Sequence, residues 1–112
     1  MNISAQVLDG VYGRPASGLR VRLEHAVDGQ WQDIGKAETD GEGNIGKWAE
    51  STLPRGLYRI VFDSDYYFSS LGIEAIYPEI VVVFRIREES DIYKILIMLS
   101  PSTYSTYFGT RT

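Results

Sequence analysis

Hydrophobic residues recur mostly at every second position along this chain. In residues 17–26 the apolar Leu19, Val21 and Leu23 alternate with charged side chains, which is the pattern of a β-strand with one face in solvent. The runs of this kind predict strands over 4–10, 17–26, 56–64, 79–87 and 92–100. The last two runs are largely apolar and β-branched, so we predict that they are central strands of a sheet.

Turn-forming residues separate these runs. Residues 12–18 contain two glycines and a proline, 27–31 contain an Asp-Gly pair, and 39–44 contain two more glycines. Each combination suits a tight turn between strands. Short strands separated by glycine-rich turns predict an all-β, antiparallel sandwich of seven or eight strands, in a single domain over 1–112.

One segment, 64–73, has the composition of a short helix of about two turns. Ser64 is a plausible N-cap, and Gly72 follows the last turn. The two aspartates at 63 and 65 fit a helix start better than a metal site, because oxygen-ligand metal sites use a longer series of ligands. No metal and no other cofactor is therefore predicted.

Composition excludes several classes of protein. The chain carries 15 acidic and 11 basic residues, for a net charge of −4, which argues against a nucleic-acid partner. It has no cysteine, so neither a disulfide nor a thiolate nucleophile is available. The first ten residues lack the basic and apolar segments of a secretion signal, and no apolar run approaches the roughly 20 residues of a spanning helix. We expect a cytoplasmic protein without a membrane partner.

Four ordered stretches together resemble 5-hydroxyisourate hydrolase, the transthyretin-related enzyme of purine degradation. They are 7–24, 39–45, 53–68 with 77–84, and 99–110. The resemblance implies a transthyretin-like sandwich of two four-stranded sheets with one short helix, assembled as a homotetramer of two dimers. It also implies that the C-terminal segment, Tyr104 to Thr110 here, ends at the mouth of a cleft between dimers.

The same resemblance locates the family's catalytic positions, which here carry other residues. The family hydrolase activates a water with a constellation of His and Arg residues. Gln6 and Lys94 stand where the family has histidines, Asn44 and Phe108 stand where it has arginines, and Thr110 stands where it has a serine. The resemblance therefore implies a site in which every ionisable group is changed.

The altered residues allow several kinds of chemistry. Gln6 and Asn44 can only orient a polar group, because amides do not titrate. Lys94 can act as a base or nucleophile where desolvation or a nearby cation favours its neutral form, or it can simply attract an anion. The predicted ligand-binding residues are Tyr104, Tyr107, Phe108, Gly109 and Thr110, whose aromatic rings either stack on a flat ligand or pack between dimers. His25, the one histidine of the chain, is expected to face solvent.

These observations favour an enzyme that binds a small, cyclic, rather apolar ligand in the inter-dimer cleft. It would act on that ligand by hydrolysis, cyclisation or isomerisation rather than by opening 5-hydroxyisourate. The alternative is a non-catalytic, transthyretin-like protein that binds a small ligand. A second alternative is a residual 5-hydroxyisourate hydrolase that uses Lys94 as its base.

Overall fold

A computed structural model describes residues 3–46, 48, 53–89 and 91–110, together with the backbone of residue 111. Over these residues nine strands form two sheets packed face to face, and there is one helix. The strands are β1 (Ile3–Asp9), β2 (Arg14–Pro15), β3 (Arg20–Val27), β4 (Gln30–Glu38), β5 (Asn44–Ile45), β6 (Gly56–Phe62), β7 (Ile80–Ile86), β8 (Ile92–Leu99) and β9 (Tyr104–Arg111), and the helix is α1 (Ser64–Ser69). The predicted all-β sandwich with one short helix is confirmed.

The first sheet has the strand order β2-β1-β8-β9, and β5 also pairs with β1. β1 and β8 run parallel, whereas the other pairs of this sheet are antiparallel. A parallel pair needs a long crossover connection, and here the whole second sheet lies between the two strands in the sequence. The sandwich is therefore antiparallel except at this pair, whereas the sequence predicted an antiparallel sandwich throughout.

The second sheet has the order β4-β3-β6-β7, with every pair antiparallel. β7 is thus an edge strand, and the prediction that it is central was wrong. Its apolar run includes Val83, which is 54% exposed on the outer face of the sheet. An apolar run therefore did not show that both faces of this strand are buried. β4 was not predicted, because its burial pattern lacks alternation and its pairing with β3 contains a bulge between Leu23 and Glu24.

The core fills the space between the two sheets. In the first sheet β1 and β8 send alternate residues inward. In the parallel pair Val7 lies beside Ile97, and both side chains are fully buried. The largest fully buried side chains are Tyr58, Phe62, Phe68, Ile3, Leu19, Leu23, Ile60, Ile80, Ile86, Ile95, Ile97 and Leu99.

The helix α1 begins at Ser64, the predicted N-cap, so the N-cap itself lies one residue earlier than predicted. Asp63 is the N-cap, since its side chain accepts a hydrogen bond from the Tyr66 N–H at 3.1 Å. The Ser64 hydroxyl instead donates to the Tyr77 carbonyl at 2.6 Å. The helix ends at Ser69, three residues before Gly72, which has a φ of +75°. Within the described residues, no helix is long and apolar enough to cross a membrane.

Candidate functional site

The outer face of the first sheet brings together predicted residues that are far apart in the sequence. The parallel register of β1 and β8 places Ser4 beside Lys94 and Gln6 beside Leu96. Their inward neighbours on the two strands are buried, so these four residues point away from the core. Gln6 is half-buried, and Lys94 is exposed. The pairing of β1 with β8 thus unites the two positions that the resemblance had singled out on these strands.

A tight turn carries Asn44 to the same face. Asn44 lies opposite Gln6 in the antiparallel pairing of β5 with β1. The Asp40 carboxylate shapes the turn by accepting hydrogen bonds from the N–H groups of Glu42 and Asn44, both at 2.9 Å. The Gly43 carbonyl accepts from the Val7 N–H at 2.8 Å, which ties the turn to β1. Asn44 is therefore held in place by the Asp40 side chain and by the hydrogen bond that ties the turn to β1.

The C-terminal strand contributes a tyrosine and a glycine to this face. β9 pairs with β8 so that Gly109 lies opposite Lys94 and Tyr107 lies opposite Leu96. The Tyr107 side chain is 67% exposed, and its ring lies over Gly109. A Cβ added to Gly109 would stand 2.9 Å from Tyr107 Cε2 and 3.4 Å from the phenol oxygen. The absence of a side chain at position 109 therefore lets the phenol lie along the strand toward Lys94.

A concavity of about 400 Å³ opens on this face around Lys94. Its lining consists of Ser4, Ile92, Lys94, Tyr107, Gly109 and Thr110. Lys94 makes no ion pair with any residue that the structure describes. One cation surrounded by three hydroxyl groups can bind a ligand that carries negative charge or several oxygen acceptors.

Two of the predicted ligand-binding residues lie on the other side of β9. Phe108 pairs with the buried Ile95 and contacts Phe84 and Tyr93, with ring centroids 5.2 Å and 5.4 Å apart. The Tyr104 ring packs edge-on against the ring of Tyr77. In the single chain Phe108 is thus separated from the Lys94 concavity by its own strand.

Thr110 connects these two regions. It lines the Lys94 concavity and also a second concavity of about 470 Å³, to which Phe108 and Tyr93 contribute. The predicted set therefore divides into an outer-face group, an inner-side group and this one shared residue.

His25 lies away from the Lys94 concavity, on β3 of the second sheet. It is half-buried rather than solvent-facing, because its ring stacks on Tyr58 with centroids 4.3 Å apart and an interplanar angle of 8°. Burial, together with the negative charge of Glu89, raises the pKa of Tyr58 to about 12. The Tyr58 hydroxyl donates to the Pro54 carbonyl at 2.6 Å. The one histidine of the chain is thus part of an aromatic stack.

Two buried polar clusters stabilise the fold outside this site. The Tyr67 hydroxyl donates to Asp9 Oδ2 at 2.6 Å, and burial and this hydrogen bond raise the pKa of Tyr67. Burial alone would raise the pKa of Glu24, but hydrogen bonds from Arg59 above all, and from Arg22, bring it below its ordinary value. Within the described part of the chain, no group of three or more His, Cys, Asp and Glu residues is placed to hold a metal ion.

Sequence reasoning missed two residues of the Lys94 concavity, Ser4 and Ile92. Both stand two positions from a predicted residue on the same strand, Ser4 from Gln6 and Ile92 from Lys94. Because alternate residues of a strand share a face, this spacing was a signal that could have identified them.

Comparisons with known proteins show the family of this chain. The sequence model of the HIUase/Transthyretin family matches residues 3–109. The 5-hydroxyisourate hydrolase of Salmonella typhimurium is 36% identical over 108 residues, which cover 96% of this chain and 79% of that protein. The Mus musculus 5-hydroxyisourate hydrolase is 34% identical over 110 residues, covering 96% and 93%.

A solved structure shows the same fold. The crystal structure of sea bream transthyretin in complex with thyroxine superposes with a TM-score of 0.93 at 28% identity, covering 100% of this chain and 98% of that one. The two sheets and the short helix described above are thus the transthyretin fold. Since the sequence match extends over nearly all of the described residues, the chain belongs to the HIUase/transthyretin family.

Proposed function

We propose that this protein binds a small cyclic ligand on the outer face of the first sheet, around Lys94, and acts on it by chemistry other than the opening of 5-hydroxyisourate. The observation that carries the proposal is the convergence of Gln6, Asn44, Lys94 and Tyr107 from four separate strands onto one face. Lys94 and Tyr107 line the concavity, and Gln6 and Asn44 lie on the same face outside its lining. Polar groups gathered around a concavity are typical of a ligand site.

The altered chemistry follows from which groups can transfer a proton on this face. His25 is on the other sheet and stacked on Tyr58, so the side chain best suited to proton transfer near neutral pH is not available. Amides do not titrate, which leaves Lys94 and the Tyr107 phenol. Orientation of a reactive ligand between these groups can itself lower a barrier by roughly 7–11 kcal/mol in favourable cases. Cyclisation, isomerisation or hydrolysis could be directed in this way.

An apolar surface beside the concavity suits the ring of the ligand. Met98, which is 48% exposed, lies beside Leu8 on the outer face, and Leu96 lies opposite Tyr107. These side chains, rather than Phe108, would contact the apolar part of a cyclic molecule. Lys94 would then hold its oxygen atoms at the polar end.

We also propose that the protein is a homotetramer in which two such faces enclose the ligand. The concavity around Lys94 is open, and an exposed apolar surface including Met98 continues from it. Covering that surface with a second copy would exclude water and strengthen polar contacts inside the cleft. Analytical ultracentrifugation should give the mass of four chains. A monomer at micromolar concentration would contradict the proposal.

The decisive experiment measures the absorbance decay of freshly generated 5-hydroxyisourate. Wild-type protein, Lys94→Ala and the control Lys36→Ala are compared with buffer, since Lys36 is a lysine of β4 on the other sheet. We expect none of the three to accelerate the decay. Acceleration that is lost in Lys94→Ala and kept in Lys36→Ala would show instead a residual hydrolase with Lys94 as its base.

A non-catalytic binding protein is the second candidate, favoured by the similarity to a transthyretin solved with thyroxine. Native mass spectrometry of the tetramer with candidate cyclic ligands would identify a ligand for both hypotheses. Loss of its conversion in Lys94→Ala or Gln6→Ala, with binding retained, would establish the enzyme. Recovery of the bound ligand unchanged from the wild-type protein would establish the binding protein.

A further inference from the structure

A separate concavity of about 300 Å³ lies on the second sheet, where β6 begins and β7 ends. The antiparallel register there places Gly56 opposite Ile86 and Leu57 opposite Arg85. Its lining consists of Arg55, Gly56, Leu57, Arg85, Ile86 and Arg87. It shares no residue with the concavity around Lys94.

The charged side chains in the lining of this concavity are all arginines. Among the described residues Arg55, Arg85 and Arg87 make no ion pair, and no carboxylate lines the concavity with them. The other arginines of the same sheet are instead each paired with a carboxylate, namely Arg20, Arg22 and Arg59. Three exposed guanidinium groups in one lining are available to bind an anion, on a chain whose net charge is −4.

Three acidic residues lie near the three arginines but are not part of the lining of this concavity. The Glu89 carboxylate accepts a hydrogen bond from the backbone N–H of Arg55 at 3.3 Å. Glu88 and Asp91 line the neighbouring concavity, to which Arg85 and Arg87 also contribute. Glu88 and Asp91 therefore limit the positive potential on the side of that neighbouring concavity, and Glu89 limits it at the backbone of Arg55.

We infer that this concavity is a binding site for a phosphate monoester. Guanidinium groups present planar pairs of N–H donors that match phosphate oxygens, and a dianion is a better partner for three cations than a carboxylate is. Leu57 is 36% exposed in the same lining, so the group esterified to the phosphate contacts an apolar side chain. The site is independent of the function proposed above.

The test is a titration of the full-length protein followed by amide and arginine side-chain NMR signals. Phenyl phosphate, inorganic phosphate and benzoate are the probes. Phenyl phosphate should give saturable shifts at Arg85 and Arg87, with tighter binding than inorganic phosphate because its ring contacts Leu57. Benzoate binding as tightly as phenyl phosphate would overturn the assignment to a phosphoryl group.

Substitutions locate the binding and separate it from general charge effects. Arg85→Gln and Arg87→Gln should each weaken phenyl phosphate binding by about tenfold or more, the range expected for a charge-assisted hydrogen bond. The control is Arg14→Gln, an exposed arginine of β2 that also makes no ion pair with a described residue; its affinity should equal that of wild type. Shifts that never saturate, or an equal loss in Arg14→Gln, would refute the site.

A further pair of variants distinguishes this site from the one around Lys94. Leu57→Ala should reduce the preference for phenyl phosphate over inorganic phosphate, and Lys94→Ala should leave both affinities unchanged. Loss of phenyl phosphate binding in Lys94→Ala would assign the anion to the outer face of the first sheet and overturn the inference.

Discussion

Replacing Gly43 with alanine tests how the 40–44 turn holds Asn44 opposite Gln6. Gly43 has a φ of +78°, a conformation that residues with a Cβ rarely adopt. The added Cβ would stand only 2.3 Å from the Val7 carbonyl oxygen. Since that oxygen belongs to the backbone of β1 rather than to a flexible side chain, the turn itself must move.

The size of the effect follows from these two contributions. The left-handed conformation costs about 1–2 kcal/mol for a residue other than glycine. Displacing the turn also weakens the hydrogen bond from the Val7 N–H to the Gly43 carbonyl, which contributes about 0.5–1.5 kcal/mol. We therefore expect Gly43→Ala to lower the free energy of unfolding by about 1.5–3.5 kcal/mol.

Equilibrium urea denaturation measures this loss, and Gly18→Ala is the matched control. Gly18 has nearly the same φ, +75°, but an added Cβ there would meet nothing within 4 Å, so only the backbone contribution should appear. The side-chain amide NMR signals of Gln6 and Asn44 should shift in Gly43→Ala alone. Equal destabilisation by the two variants, with those signals unmoved, would refute the argument that close approach to β1 positions Asn44.

Three further predictions concern individual contacts. Tyr67→Phe leaves the buried Asp9 without its hydroxyl donor and should lower the free energy of unfolding by about 1–3 kcal/mol in urea denaturation; no change would mean that water replaces the phenol. The pKa of Glu24 is lowered on folding, so its carboxylate contributes stability above the ordinary value of 4.5 that is lost as the pH falls below it. Glu24→Gln should therefore be less stable than wild type at pH 7, with the difference shrinking in acid; a difference that does not vary with pH would contradict this. Gly109→Ala should displace the Tyr107 ring with little change in stability but a clear shift of the Tyr107 ring signals in NMR spectra, and unchanged signals would show that the ring is not held over position 109.

Much of the secondary structure could be predicted from local patterns, because alternation and turn residues are properties of adjacent positions. β1, β3, β6 and β8 were found within a few residues of their observed ends. β4 was missed, since its bulge and its contacts with Trp48 break the alternation. Gly35 illustrates the reason: a Cβ there would stand 2.0 Å from the Trp48 carbonyl oxygen, a contact between segments that no local pattern indicates.

The sequence indicated most residues of the candidate site, but not Ser4 and Ile92 and not how the residues are grouped. The resemblance to the family identified Gln6, Asn44 and Lys94, and the structure brings the first two into register. The resemblance could not show that Phe108 contacts Phe84 on the inner side while Tyr107 points outward. Both residues belong to one motif. The sequence of a motif does not show which of its side chains face the core until the pairing of its strand is known.

The sequence by itself determined that this chain forms a β-sandwich with one short helix, because the period of its hydrophobic residues matches strands with one buried face. Consecutive residues such as Tyr107 and Phe108 were also bound to point to opposite sides of a strand. Only the tertiary structure decided which side faces Lys94, since that depends on the register of β9 against β8. Register is set by the burial of a whole strand face, and a shift of one residue would reverse every side chain.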